Sequence, residues 1–377
     1  MTRRAEIAGG GIAGLSIATM LAKAGWSVRV HERSPQIREA GAGIYMRNNS
    51  LRILEELGIL AALAQHGTRL RRTEIRDRQG RLRQTFELTG HSRTYVFPRQ
   101  SLVDVLADAA RAAGAEIRLG SEAAAADADG ALVMADSRRL TADLVVAADG
   151  FRSEVRDSLA IGARHWELAT AVNRHFIAGR ALTPEPVSVQ HWSGHRRIGI
   201  SPAGDDHTYV YTVAPAGDAS ATALPLDLAD WGRAFPGLRR ELEIIAAAQV
   251  TQHRYIMVDC PRWHRGRVAI IGDAAHGLPP TLGQGAGLAI MNARALVTSL
   301  DRHRSVEEGL AYWESQVRFI SDTTQRWSCR YDWFTREWPA ALDFLRPAVF
   351  WCFGRFPMLN DRMRMADRGL ELTALGR

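Results

Sequence analysis

The sequence predicts an α/β fold with an inserted, mostly antiparallel sheet and C-terminal helices, on three observations. A short strand, a glycine turn and an apolar helix open the chain and lead into a second strand. Short alternating strands punctuated by turns fill residues 172–213. A buried strand, Val268 to Ile271, then runs into a second glycine-rich turn and helix, so the chain returns to its first domain.

Taken in order, Ala5 to Ala8 is a strand, Gly9-Gly10-Gly11-Ile12-Ala13-Gly14 a turn, and Leu15, Ala18, Leu21 and Ala22 one face of a helix that ends near Gly25. Trp26 to His31 alternates as the second strand and finishes in Glu32, completing a βαβ unit. Leu51 to Leu63 predicts one amphipathic helix, and Tyr95 to Gly114 a strand, a turn and a helix from about Ser101. A third buried strand, Ala142 to Ala148, stops at Asp149-Gly150. The inserted strands turn at Ser193-Gly194 and at 203–206; helices are expected at Leu238 to Ala248 and Gly287 to Leu300. From Arg304 the chain reads as helical, with tryptophans at 313, 327, 333, 338 and 351 supplying packing.

Composition narrows the class. With 377 residues, 46% hydrophobic and 24% charged, the chain has the balance of a globular enzyme of more than one domain. The net charge of +7 rests almost wholly on arginine, since Lys23 is the only lysine, and its even spread argues against a nucleic-acid partner. The densest patch, Arg69, Arg71, Arg72, Arg76, Arg78, Arg81 and Arg83 with Glu74 and Asp77, surrounds a Gln79-Gly80 turn; it reads as a solvated hairpin in preference to an anion site. No run approaches the roughly 20 apolar residues that cross a bilayer, and Pro347 to Gly354, flanked by Arg346 and Arg355, is far shorter. A cytoplasmic protein with no membrane partner is expected. Cys260, Cys329 and Cys352 have no metal-ligand spacing, and His191 and His195 lie on a strand and turn with no third ligand, so no metal site is expected. His276 is expected to be structural or near the cofactor.

Gly9, Gly11 and Gly14 have the spacing of a Rossmann-like dinucleotide turn, where glycines allow a tight bend, close approach of a pyrophosphate and close helix packing. Glu32, ending the second strand, can accept hydrogen bonds from a ribose. Further on, Gly272-Asp273 directly follows a buried strand, placing a carboxylate where it can hold a polyol. A nicotinamide alone has no ribityl chain, so this aspartate points to a flavin. The loop of Gly283, Gly285, Ala286 and Gly287 then enters a helix, offering N–H groups that suit the negative charge of a reduced flavin near N1 and O2.

Gly9 to Gly14 with Glu32, Asp149-Gly150-Phe151-Arg152-Ser153 with Val155-Arg156, and Gly272-Asp273 with Pro280 together resemble the single-component, class A flavoprotein aromatic monooxygenases. The resemblance covers residues 4–320. It implies noncovalent FAD, NADH or NADPH as a transient co-substrate, and O2 activated as a flavin C4a-hydroperoxide to hydroxylate a small aromatic or N-heteroaromatic acid. Glu32 would meet the adenosine ribose, with Arg33 also in the cofactor set; Arg99 would lie near the pyrophosphate and ribityl chain, and Asp273 on that chain. Asp149 would serve FAD and nicotinamide approach, and the Pro280 carbonyl would face the substrate.

Thr2 to Glu6, Gly41 to Tyr45, Arg197-Ile198, Ser201-Pro202, and Tyr209 before Ala214-Pro215 resemble the branch that hydroxylates and opens a pyridine ring. Tyr45, Arg197, Tyr209 and Tyr255 fall on pocket positions there, while Arg69 to Arg78 depart from the pattern. An arginine can bind a carboxylate bidentately and tyrosines can hydrogen-bond a ring hydroxyl or nitrogen. No acid–base residue is assigned. The implied division is an FAD-binding domain over 1–165 and 260–320, a substrate domain over 166–259 with strands near 69–98, and a C-terminal helical segment over 321–377. A homodimer is allowed for, and an FAD-dependent reductase or non-oxygenating FAD-binding protein is the alternative function.

Overall fold

The computed structural model describes residues 2–38 and 42–339 together with 342, 345, 348, 349 and 365–367. Gly41, Trp351, Cys352 and most of the apolar run 347–354 lie outside the described residues. In chain order come β1 (Arg4–Ala8), α1 (Ile12–Lys23), β2 (Ser27–Glu32), β3 (Gly43–Arg47), α2 (Asn48–Glu56), α3 (Leu60–Ala64), β4 (Thr68–Arg69), β5 (Arg72–Arg76), β6 (Leu82–Glu87), β7 (Thr94–Pro98), α4 (Arg99–Ala112) and β8 (Glu116–Leu119). Next are β9 (Ala123–Asp127), β10 (Ala131–Met134), β11 (Arg139–Thr141), β12 (Leu144–Ala147), α5 (Glu154–Ser158), β13 (Arg164–Ala178), β14 (Val187–Ser193), β15 (Arg196–Pro202) and β16 (His207–Pro215). The chain continues through α6 (Ala219–Thr222), α7 (Leu228–Ala234), α8 (Arg239–Ala246), β17 (Val250–Asp259), β18 (His264–Arg265), β19 (Val268–Ile270), α9 (Asp273–His276), α10 (Gly285–Arg302) and α11 (Val306–Arg336).

The first sheet has the order β18-β19-β12-β1-β2-β8, parallel except for the edge strand β18. Its central strands are buried on both faces, as apolar runs such as Leu144 to Ala147 require. Because β1 lies between β2 and β12, both glycine turns and Asp149 emerge at the carboxyl ends of neighbouring strands, where open α/β sheets bind ligands. The second sheet, β17-β13-β16-β15-β14-β5-β6, is antiparallel except for the β14/β5 pair, and β3-β7-β4 bridges the two. A second three-stranded sheet, β11-β10-β9, went unread in the sequence.

Local chemistry explains where the elements differ from expectation. The stretch 51–63 is two helices rather than one, because Gly58 takes φ +76° and ends the first. Helix α4 starts at Arg99, immediately after Pro98, two residues earlier than the sequence suggested. Helix α10 likewise starts at Gly285. The division at 320/321 falls inside α11, which runs unbroken from Ser305, whose side chain accepts the Glu308 N–H, to Arg336. The arginine patch is a hairpin of ion pairs: Arg72 and Arg76 with Glu74, and Arg81 and Arg83 with Asp77.

Candidate active site

The first glycine turn is closed by contacts that leave no room for a side chain. Gly9 has φ +100°, and a Cβ there would lie 2.4 Å from the Ala148 carbonyl oxygen; one on Gly14 would lie 1.9 Å from the Gly9 carbonyl oxygen. Gly11 differs, for a Cβ there would meet nothing within 4 Å. Gly11 is also the N-cap of α1 and gives it no side-chain cap, so the first N–H groups of the helix receive no capping side chain from it. Beside it, one Glu32 carboxylate oxygen accepts the Gly10 N–H at 2.7 Å and the other the Ser34 N–H at 2.9 Å. Each oxygen keeps acceptor capacity for a ribose hydroxyl. Arg33 is exposed next to it, and Arg99 occupies the first turn of α4, its N–H donated to the Ala42 carbonyl at 2.8 Å.

The second turn is tied to the first. Gly272 has φ +63°, and a Cβ there would lie 2.6 Å from Ala13 Cβ in α1. The fully buried Arg156 donates to the Phe151 carbonyl at 3.0 Å and the Ala274 carbonyl at 3.1 Å, linking the turn after β12 to α9. Asp149 accepts from Ser153 Oγ at 2.5 Å and the Val155 N–H at 3.3 Å, and burial raises its pKa. Asp273 and Pro280 are both exposed. Gly285 and Ala286 form the first turn of α10, which has no side-chain cap and no acidic residue there, leaving donors for an anion. Gly287 packs against Asn49. His276 is structural: 1% exposed, its Nε2 is 2.9 Å from Asn292 Nδ2.

Sheet register gathers the remaining residues. Directly opposite partners share a face, so Ser201 and Tyr209, Gly199 and Tyr211, Arg197 and Val213, and Arg197 and Trp192 point the same way. Arg174 and Val172 join them from β13. The opposite face, carrying Ile198, Ile200, Val210 and Ala214, is covered by α6 to α8. Tyr45 reaches the first face from β3: its hydroxyl bonds Ser188 Oγ at 3.1 Å and Ser201 Oγ, and its ring meets Tyr209 edge-on. Tyr45 Cβ is also 3.8 Å from where a Cβ on Gly283 would stand. One side chain thus spans from the sheet to the loop that opens α10.

This face is buried and aromatic, and its one fully enclosed cation is Arg197, 6% exposed, with Nε lacking a hydrogen-bond partner and no ion pair among the described residues. Its guanidinium lies 5.1 Å from the Trp192 ring centroid. Burial pushes the phenols of Tyr45 and Tyr255 up to about 12 and raises those of Tyr209 and Tyr211, so all four stay neutral donors. Tyr255 and Asp332 feel the Arg197 charge; Asp332, on α11, accepts from Thr170 Oγ1 at 2.9 Å, and burial raises its pKa. Sequence reasoning missed Tyr211, Arg174, Trp192 and Asp332. Tyr211 was within reach, since it lies two residues from Tyr209 on one strand; Asp332 comes from a helix distant in sequence and carried no signal.

Residues 3–311 match the FAD binding domain family. The chain is a member of that family. It is 36% identical over 333 residues, 86% of this chain and 89% of the other, to a 2-heptyl-3-hydroxy-4(1H)-quinolone synthase of Mycobacteroides abscessus. It is 26% identical over 379 residues, 93% and 94% of the two chains, to a 6-hydroxynicotinate 3-monooxygenase of Bordetella bronchiseptica. Among solved structures, a tetrameric form of 2-methyl-3-hydroxypyridine-5-carboxylic acid oxygenase superposes with TM-score 0.85 at 34% identity, covering 98% of each chain. The family member is thus an FAD-dependent monooxygenase, with NAD(P)H the co-substrate typical of the class, and the relatives just named act on aromatic or heteroaromatic rings. The glycine cradles, Glu32 and the uncapped α10 fit that cofactor.

Proposed function

We propose that the substrate is a small aromatic or N-heteroaromatic carboxylic acid whose carboxylate pairs with Arg197 on the tyrosine-lined sheet face. The carrying observation is that guanidinium, buried with no ion pair among the described residues. An enclosed cation with no contact ion pair, interacting with the Asp332 carboxylate only at longer range, is costly, and a ligand carboxylate offsets that cost. FAD, when bound, supplies hydride acceptance and oxygen activation. In this reading Gly9, Gly11, Gly14, Glu32, Arg33 and Arg99 hold its nucleotide and pyrophosphate, Asp149, Gly272 and Asp273 its ribityl region, and Gly285, Ala286 and Gly287 its pyrimidine end. Tyr45, Tyr209 and Tyr255 orient the ring as neutral hydrogen-bond donors, the Pro280 carbonyl faces it, and the surrounding apolar side chains exclude water.

Arg197→Met is expected to weaken binding of pyridine and benzoic acids by about 2 to 4 kcal/mol while the flavin absorbance spectrum stays as in the parent. Equal affinity in parent and variant would move the carboxylate elsewhere. A second reading, a neutral N-heteroaromatic ring, is favoured by the 36% identity to the quinolone synthase; tighter binding of 4(1H)-quinolones than of any acid would establish it. We also propose a cytoplasmic homo-oligomer, in line with the tetrameric form of the solved oxygenase, to be checked by light scattering. No helix among the described residues is long and apolar enough to cross a membrane.

A further inference from the structure

The start of α10 is held by residues drawn from distant parts of the chain. Asn49, fully buried in α2, donates Nδ2 to Gln284 Oε1 at 3.2 Å and to the Ala366 carbonyl at 3.1 Å. Gln284 is the N-cap of α10, and its Nε2 donates to the Asp367 carboxylate at 2.8 Å. Asp367 also pairs with Arg47 at 3.5 Å. Arg47 Nε in turn lies 3.8 Å from where a Cβ on Gly283 would stand, so the Arg47–Asp367 pair flanks the turn that opens α10. Helix α10 has no acidic residue in its own first turn. The fold brings it a carboxylate from the C-terminal segment.

We propose that Asp367 is a positioning residue for the flavin: it fixes Gln284 at the start of α10, and its negative charge lowers the flavin reduction potential. This rests on the reading that the pyrimidine end of the flavin lies at α10. Reduced flavin carries negative charge near N1 and O2, which the free N–H groups of a helix start stabilise. A carboxylate held against that helix end opposes the same charge, and charge near N1 is one of the means by which a protein sets flavin electronics. Asp367 therefore makes two-electron reduction less favourable than the helix alone would, and Arg47 offsets part of its effect.

The test is the midpoint potential of the FAD-loaded protein, measured against a reference dye, together with the dissociation constant for oxidised FAD. Asp367→Asn keeps an oxygen to accept from Gln284 and removes the charge, and with it the ion pair to Arg47. Its potential is expected to rise by about 15 to 30 mV, a three- to tenfold gain in relative affinity for reduced flavin, while oxidised FAD binds within about twofold of the parent. Asp367→Glu, which keeps the charge, is expected to match the parent. An unchanged or lower potential in Asp367→Asn, or an equal rise in Asp367→Glu, overturns the proposal. Ala286→Asp tests the underlying reading separately, because a carboxylate in the first turn must lower the potential or expel FAD if the flavin lies there. If Ala286→Asp changes neither, the placement of the flavin is wrong; if only it responds, Asp367 alone is excluded.

Discussion

At the residue scale the site is governed by burial acting on polar groups. Tyr45, Tyr209, Tyr211 and Tyr255 lose the option of ionising because their surroundings cannot solvate a phenolate, which is why the first and last are held at about 12. The affinity of a ring acid without a hydroxyl of its own should therefore stay within about threefold from pH 8 to pH 10, where an exposed tyrosine near its ordinary value would begin to lose its proton. Titration of FAD-loaded protein with nicotinic acid checks this. A fall of tenfold over that range would mean that one of these phenols ionises. Arg197 was legible in the sequence only through resemblance; its burial, on which its proposed role as an anion receptor rests, exists only in the folded sheet.

At the element scale the two glycine turns divide into positions fixed by protein and positions reserved for a ligand. Gly14→Ala drives a methyl group into the Gly9 carbonyl, a backbone contact that cannot relax by rotating a side chain. It is expected to cost about 3 kcal/mol of stability and to yield protein without flavin. Gly11→Ala meets no protein atom and takes an extended conformation open to any residue. This variant should keep the urea midpoint to within about 1 kcal/mol and yet bind FAD at least about tenfold more weakly, since its methyl projects where the pyrophosphate approaches. Normal FAD affinity in Gly11→Ala would show that the nucleotide runs elsewhere. The fingerprint spacing placed both glycines correctly on the turn, but only the packing around each separates their roles.

At the scale of the whole molecule, burial of histidines couples folding to pH. His175, His191 and His276 sit on different elements, and burial lowers each to about 4 from 6.5. Below the unfolded value the unfolded chain binds protons that the folded protein refuses, so their contribution is full above about pH 6.5 and declines as pH falls toward 4. Urea unfolding monitored by tryptophan fluorescence should show the midpoint falling between pH 7 and pH 5, with His276→Gln reducing the slope. A midpoint independent of pH over that interval would mean that these rings are solvated in the folded state. The long helix α11 gives the molecule its coherence: Gln325 donates to the Val258 carbonyl at 2.6 Å and the Gly277 carbonyl at 2.9 Å, and Thr281 to the Ser328 carbonyl at 2.8 Å. It thereby ties the seven-stranded sheet to the loop after the second glycine motif.

The sequence by itself determined the α/β class, the FAD turn with its acidic residue, the returning Gly272-Asp273 segment and the alternation of an inserted antiparallel sheet. These depend on periods of two and about 3.6 residues and on glycines at fixed offsets, and such signals are local. Tertiary structure decided which sheet face is enclosed, that Tyr45 spans from that face to the Gly283 loop, and that Asp332, Asn49 and Asp367 stand beside groups far away along the chain. Those pairings depend on how layers stack and on which polar groups lose water together. Neither leaves a repeating mark in a single sequence, because a contact between residues 49 and 366 constrains no neighbour of either one.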